Sequence, residues 1–94
     1  MPFMYILECS DGSYYVGSTW DLSVRFEQHQ AGSVPGYTAR RLPVKLAYAE
    51  EFNRIDDAYA REKQVQNWSR AKRRALIDGR IDDLRRLSRG GGSA

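Results

Sequence analysis

Three residues that seldom point into a protein, Arg25, His29 and Glu62, fall on the inward stripes of two helical patterns. Arg25 and His29 lie one turn apart in "DLSVRFEQHQAG", on a stripe shared with Leu22 and Phe26. Glu62 sits in the middle of a longer stripe, Ile55, Ala58, Tyr59, Glu62, Val65 and Gln66. Burying an unpaired charge costs on the order of several kcal/mol, so such residues pair with each other or line a cleft. A buried Arg25–Glu62 bridge is the plain structural reading. The alternative joins them to two phenols of the opening segment, Tyr5 and Tyr15. Arginine, histidine, tyrosine and a single carboxylate suit phosphoryl chemistry. The carboxylate binds a divalent metal, the arginine neutralises charge developing on phosphorus, and a phenol or imidazole moves protons.

Those roles require particular elements. "FMYILECSDGSYYVGST" reads as a β-hairpin turning at Ser10-Asp11-Gly12. A two-residue loop would place Tyr5 and Tyr15 on opposite faces. A three-residue loop with Gly12 left-handed pairs Cys9 with Ser13 and Tyr5 with Gly17. Tyr5 and Tyr15 then become same-face diagonal neighbours, roughly 7 Å apart. Ser-Asp-Gly suits a type I turn closed by a glycine bulge, which favours the second register. Both faces of the hairpin are apolar, so both need cover, with Tyr14 packing on the side opposite Tyr5 and Tyr15.

A first helix is expected from a cap at Asp21 to a stop at Gly32. A third strand follows in "VKLAYAEEF", with Val44, Leu46 and Tyr48 alternating against Lys45, Ala47 and Ala49. Asn53 is the expected cap of the long helix, with Asp56 and Asp57 in its first turn. Trp68 falls off that helix's stripe and is expected to pack on the next segment. Ser69 caps a further helix ended by Gly79, and "IDDLRRL" can add a last turn. The fold class is α+β, a three-stranded antiparallel sheet flanked by helices in the order β-β-α-β-α-α. Residues 1–88 form one domain and 89–94 a disordered tail.

Composition narrows the functional classes. The 94 residues are 41% hydrophobic and 29% charged, as in a soluble globular domain. No apolar run approaches the roughly 20 residues that span a bilayer, and the N-terminus lacks a signal-peptide pattern. The only cysteine, Cys9, excludes an internal disulfide or a cysteine-based zinc site and suits a reducing cytoplasm. "GSYYVGST" has P-loop glycine spacing without the lysine, inside a predicted strand, and is set aside. Net charge is +3, with basic clusters at Arg40, Arg41 and Lys45 and at Arg70, Lys72, Arg73 and Arg74. Thr38, Arg40, Arg41, Lys45, Lys63, Lys72 and Arg73 are the candidate nucleic-acid contacts. Trp20 is expected to seal the first helix rather than stack on a base.

The ordered residues carry a family resemblance covering nearly the whole chain to about Leu87. "FMY" (Phe3–Tyr5) and "YVG" (Tyr15–Gly17) resemble the two motifs of the GIY-YIG nucleases. An arginine on the first helix, Arg25, a histidine one turn later, His29, and a glutamate after the third strand, Glu62, continue the pattern. Length, "YTARRLPVKL" and "REKQVQNWSRAKRRALI" look like the small stand-alone bacterial members. The resemblance implies metal-dependent hydrolysis of a phosphodiester by in-line attack of water. Glu62 would hold one Mg²⁺ or Mn²⁺, Arg25 would stabilise the pentacovalent phosphorus, Tyr5 and Tyr15 would position or deprotonate the water, and His29 would accept or relay the proton. Ser18 stands where some members carry a lysine, which Lys45 or Lys63 would have to replace, and Ile77 where some carry an asparagine.

The expected function is therefore a metal-dependent endonuclease on DNA, damaged or branched forms included, with a place in DNA repair. DNA ranks ahead of RNA; neither a small-molecule cofactor nor a membrane is expected. The alternative is a nucleic-acid-binding module with little catalysis; a module recruiting a protein partner ranks third.

Overall fold

The structure, a computed structural model, describes residues 1–80, 82 and 84. The expected domain boundary at residue 88, the tail 89–94 and most of the final turn lie outside the described residues. Strands β1 (Phe3–Glu8), β2 (Tyr14–Thr19) and β3 (Lys45–Glu51) form one antiparallel sheet in the order β2-β1-β3. The helices are α1 (Leu22–Gln30), α2 (Ile55–Gln66) and α3 (Arg70–Asp78), with a 3-10 turn at Thr38–Arg40. The element order is the expected β-β-α-β-α-α.

The hairpin adopts the three-residue turn. Cys9 N–H donates to Ser13 O at 2.8 Å, Gly12 has φ +83°, and Tyr5 pairs with Gly17. A residue with a Cβ would be strained at that φ, which is why the turn has glycine there. The register fixes two faces. Tyr5, Leu7, Tyr15 and Gly17 share one, and Met4, Ile6, Tyr14, Val16 and Ser18 share the other. On the first face Tyr5, Leu7, Cys9 and Val44 pack with Leu22 and Phe26 of α1. On the second, Met4, Ile6, Tyr14 and Val16 pack with Val65 of α2 and Leu76 of α3. Both faces are thus covered, as their apolar character requires.

The third strand departs from strict alternation. Ile6 pairs with Tyr48 and Leu7 with Leu46, so Ala47 is unpaired in a bulge. Leu46 consequently shares the Tyr5 face, while Tyr48 packs with Met4 and Ile6 on the other. One extra residue reverses the face of every residue beyond it.

Helix ends follow local chemistry with one exception. Asp21 caps α1 by accepting Val24 N–H at 3.2 Å, and Ser69 caps α3 by accepting Lys72 N–H at 3.2 Å. Gly79, at φ +71°, ends α3. At α2 the expected Asn53 cap is displaced: Arg54 holds the N-cap position without a side-chain bond to the backbone, and Asp56 and Asp57 occupy the first turn. Tyr59 is 54% exposed instead of facing inward, leaving Ala58 and Val65 as the buried residues of that helix. Trp68 packs against the second cluster with Lys72 Nζ 4.2 Å over its ring. No helix among the described residues is long and apolar enough to cross a membrane.

Candidate active site

On α1, Leu22, Arg25 and Phe26 are half-buried and His29 is fully buried, so the stripe places arginine and imidazole against the sheet. The Tyr5 hydroxyl meets His29 Nε2 at 2.9 Å, and His29 Nδ1 meets Thr38 Oγ1 at 2.8 Å. All three residues are at most 1% exposed. Each ring nitrogen thus has one partner, which fixes the imidazole plane inside the protein. Tyr15 completes the group, its ring centroid 5.1 Å from that of His29 and 6.4 Å from that of Tyr5.

Gly17 makes this geometry possible. A Cβ there would lie 2.6 Å from both Cζ and the hydroxyl of Tyr5. The Tyr5 ring runs from the central strand across the bare backbone of the edge strand to reach the histidine. The glycine of "YVG" is therefore a matter of space on the neighbouring strand, since its φ is not in the left-handed region.

Glu62 approaches from the opposite face. Its Oε1 accepts the Ser18 hydroxyl at 2.6 Å, and its Oε2 accepts Gln66 Nε2 at 2.9 Å. Lys63 Nζ lies 3.3 Å from Oε2. Gln66 also donates to the backbone carbonyl of Val16 at 3.2 Å, tying α2 to the edge strand. The structural reading of a buried Arg25–Glu62 bridge is not what forms: Arg25 Nη1 donates to Gln28 Oε1 at 3.1 Å. The carboxylate and the guanidinium instead flank β2 from its two faces, both near enough to act on Tyr5 electrostatically.

Burial, reinforced by the neighbouring Tyr15, pushes the Tyr5 phenol up to about 12, while Arg25 pulls the other way. Burial, then the Arg25 charge, hold His29 below its ordinary 6.5. Near neutrality the pair is a neutral phenol donating to a neutral imidazole; both shifts oppose separating charge between them, so the phenol can give its proton to Nε2 only as it takes up another.

No group of three or more His, Cys, Asp or Glu side chains gathers among the described residues. Glu62 is thus the single carboxylate that could hold an ion here, one that keeps most of its waters and takes phosphate oxygens as Mg²⁺ does, and such an ion would have to displace the Lys63 ammonium from Oε2.

Several expected nucleic-acid contacts are otherwise engaged. Thr38 is buried on His29, out of reach of a phosphate. Arg73 donates to the carbonyls of Val65 at 3.1 Å and Gln66 at 2.7 Å, capping the end of α2. Lys72 lies over Trp68, and Arg41 pairs with Asp11 at 3.0 Å. Lys45, 3.4 Å from Glu8, sits at the end of the sheet away from Ser18, so it does not replace the lysine missing there. Lys63, beside Glu62, is the cation at that place. Arg40 is exposed and makes no hydrogen bond or ion pair among the described residues. Trp20, expected to pack, is 66% exposed on the rim of an open groove of about 580 Å³ with Phe3, Leu22, Phe26 and Leu46. Sequence reasoning missed Ser18 as a partner of Glu62, Gln66 as its second donor, and Tyr37, whose ring stacks 6.4 Å from that of Tyr15. The i,i+4 spacing of Glu62 and Gln66 was the available signal for Gln66.

A model of the GIY-YIG catalytic domain matches residues 1–75. A UPF0213 protein of Halobacterium salinarum is 42% identical over 77 residues, 82% of this chain and 100% of its own length. A UPF0213 protein of Streptococcus pneumoniae is 39% identical over 85% of this chain and 81% of its own. Among solved structures, the UPF0213 protein BH0048 of Bacillus halodurans has TM-score 0.54 and 37% identity, covering 83% of this chain and 84% of that one. Protein EF2693 of E. faecalis has TM-score 0.56 and 28% identity, covering 82% of each chain.

Gly17→Ala forces the Tyr5 ring aside and should destabilise the fold by about 1–3 kcal/mol. The freed phenol should titrate below about 12, toward its ordinary 10.0. Denaturant melts and ultraviolet titration measure both, and an unaltered melt would contradict the packing of Tyr5 against Gly17.

Stability should also fall on acidification through His29. Unfolded, it takes up a proton near pH 6.5; folded, it does so only at lower pH. The unfolded state binds more protons between those limits, so folding weakens as pH drops below about 6.5. The unfolding free energy of His29→Gln should decline less steeply from pH 8 to 5 than that of the parent. Parallel curves would contradict the assignment.

Proposed function

This chain belongs to the GIY-YIG catalytic-domain family, and on that premise we propose that it is a metal-dependent endonuclease hydrolysing phosphodiesters in DNA, damaged or branched forms included. The observation that carries the proposal is the Tyr5–His29–Thr38 hydrogen-bond chain, placed beside Arg25 and around the edge strand from Glu62. The scissile phosphate would lie along the β2 edge, between the guanidinium on one face and the carboxylate on the other. Arg25, leaving Gln28, would take the phosphoryl oxygens and offset the charge that builds on phosphorus. Tyr15, the more exposed phenol, would orient the attacking water. Tyr5 would accept that water's proton while passing its own to His29 Nε2, so no free phenolate accumulates. Thr38 would hold the imidazole in place as the proton arrives.

Glu62, with Ser18 and Gln66 orienting its two oxygens, would hold one Mg²⁺ or Mn²⁺. When bound, such an ion neutralises phosphate charge and makes bound water more acidic. Arg40 would contact backbone phosphate, and exposed Trp20 would offer a stacking surface for a base. A second reading rests on Lys63: its ammonium competes for the Glu62 carboxylate, which favours a nucleic-acid-binding module with little catalysis.

Labelled single-stranded, duplex and branched DNA, incubated with Mg²⁺, Mn²⁺ or chelator, separates the two. The nuclease reading expects cleavage with either metal and none in chelator; undiminished cutting in chelator would overturn it, and binding without cutting would favour the second. Glu62→Gln should lose at least about two orders of magnitude of cleavage while still binding DNA. Its stability should change by less than about 2 kcal/mol, because the isosteric amide keeps an oxygen for the Ser18 hydroxyl and loses only the Oε2 contacts with Gln66 and the half-exposed Lys63. A large destabilisation with normal cutting would make Glu62 structural.

Binding should be salt-sensitive through Arg40 and not through Arg73. Arg40→Gln should flatten the log-affinity against log-salt slope by about one unit. Arg73→Gln should leave the slope nearly unaltered and lower the denaturation midpoint, as expected of a cap. The reverse pattern would return Arg73 to the binding surface.

A further inference from the structure

Tyr5 is anchored by its hydrogen bond to His29, but the Tyr15 hydroxyl makes no hydrogen bond among the described residues. The half-buried Tyr15 ring is placed by ring contacts with Tyr5, His29 and Tyr37. Of these, Tyr37 alone is substantially exposed, at 41%, and it lies in an irregular loop, so something must fix it. Arg41 does so. Its Cζ lies 3.8 Å over the Tyr37 ring, and its Nη1 donates to the Tyr37 carbonyl at 3.0 Å. The arginine is fixed from the hairpin tip: its Nε donates to Asp11 Oδ2 at 3.0 Å, and its carbonyl accepts Ser10 N–H at 2.9 Å. Asp11 is oriented in turn by Ser13, whose N–H and hydroxyl donate to Oδ1 at 3.0 and 2.5 Å.

We propose that Asp11, Arg41 and Tyr37 form a positioning strut for Tyr15, running from the hairpin turn to the candidate active site, and that Arg41 acts there instead of on nucleic-acid phosphate. The inference deepens the nuclease reading and rests on it for its kinetic consequence. A solvent-facing ion pair contributes little to stability, so what this one provides is the place of a ring. An arginine serves better than a lysine because its planar group can stack on the phenol and donate to two acceptors at once.

The two roles for Arg41 give opposite results in Asp11→Asn. A phosphate-binding arginine released from its carboxylate would bind DNA more tightly with no loss of kcat. A strut that has lost its anchor lets Tyr15 drift, and kcat should fall about tenfold without a rise in KM. Arg41→Lys and Tyr37→Ala should reproduce that fall, and Tyr37→Phe, which keeps the ring, should recover most of it. A readout independent of cleavage uses 3-fluorotyrosine-labelled protein, with the Tyr15 signal assigned through Tyr15→Phe. That ¹⁹F signal should move in Asp11→Asn, Arg41→Lys and Tyr37→Ala while the denaturation midpoint stays close to the parent's. If the parent cuts no DNA, the nuclease reading fails and the fluorine signals still decide the strut. A stationary Tyr15 signal in Asp11→Asn and Arg41→Lys, or tighter binding of Asp11→Asn with undiminished kcat, would overturn it.

Discussion

The hydrogen bond between the Tyr5 hydroxyl and His29 Nε2 is the constraint to which the other parts of this small fold answer. It is buried, so both ends must be satisfied and neither can shift cheaply. For the phenol to arrive, the neighbouring strand must carry no side chain at Gly17, and the hairpin must turn in three residues to set Gly17 opposite Tyr5. For the imidazole to arrive, α1 must begin at Asp21, which sets the angular position of His29 two turns later. For the imidazole to keep its orientation, the 3-10 turn must bring Thr38 beneath it. Turn chemistry, a missing Cβ, a helix cap and a loop hydroxyl therefore converge on one pair of atoms.

The second organising fact is that β2 is an edge strand. A central strand would have a neighbour on each side, and groups from its two faces could not meet around it. At the edge, Arg25 comes from α1 on one face and Glu62 from α2 on the other, with Gln66 bound to the outward carbonyl of Val16. That bond also satisfies a backbone group that would otherwise offer the edge to another chain. The open strand edge and the candidate site are the same feature of the sheet.

Much of this was legible in the sequence because it depends on local rules. Turn type fixed the hairpin register, helical periodicity put Arg25 and His29 inward, and the caps at Asp21, Ser69 and Gly79 followed from side-chain and backbone chemistry. The bulge at Ala47 was not legible, since Val44, Leu46 and Tyr48 alternate perfectly and only packing against two different helical layers separates them. Nor were the partners of the cations. Arg41, Lys72 and Arg73 read as nucleic-acid contacts in sequence, yet each finds an acceptor or a ring brought near by chain folding: Arg41 in the distant hairpin turn, Lys72 and Arg73 across the α2–α3 junction. Thr38 looked like a phosphate contact because a loop beside arginines is where such contacts occur; its burial depends on where α1 lies.

The proposed proton relay depends on the protonation of His29. If the Tyr5 phenol is to pass its proton to the imidazole, Nε2 must be unprotonated near neutral pH, with the single ring proton on Nδ1 facing Thr38. Nitrogen-15 chemical shifts of the His29 ring, followed from pH 8 to 5, measure this directly. A working relay requires a neutral ring with Nε2 as the acceptor at pH 7, titrating only below 6.5. A ring protonated on Nε2 at pH 7, as the imidazolium or as the other tautomer, would contradict it, because Tyr5 would then have no acceptor for its proton.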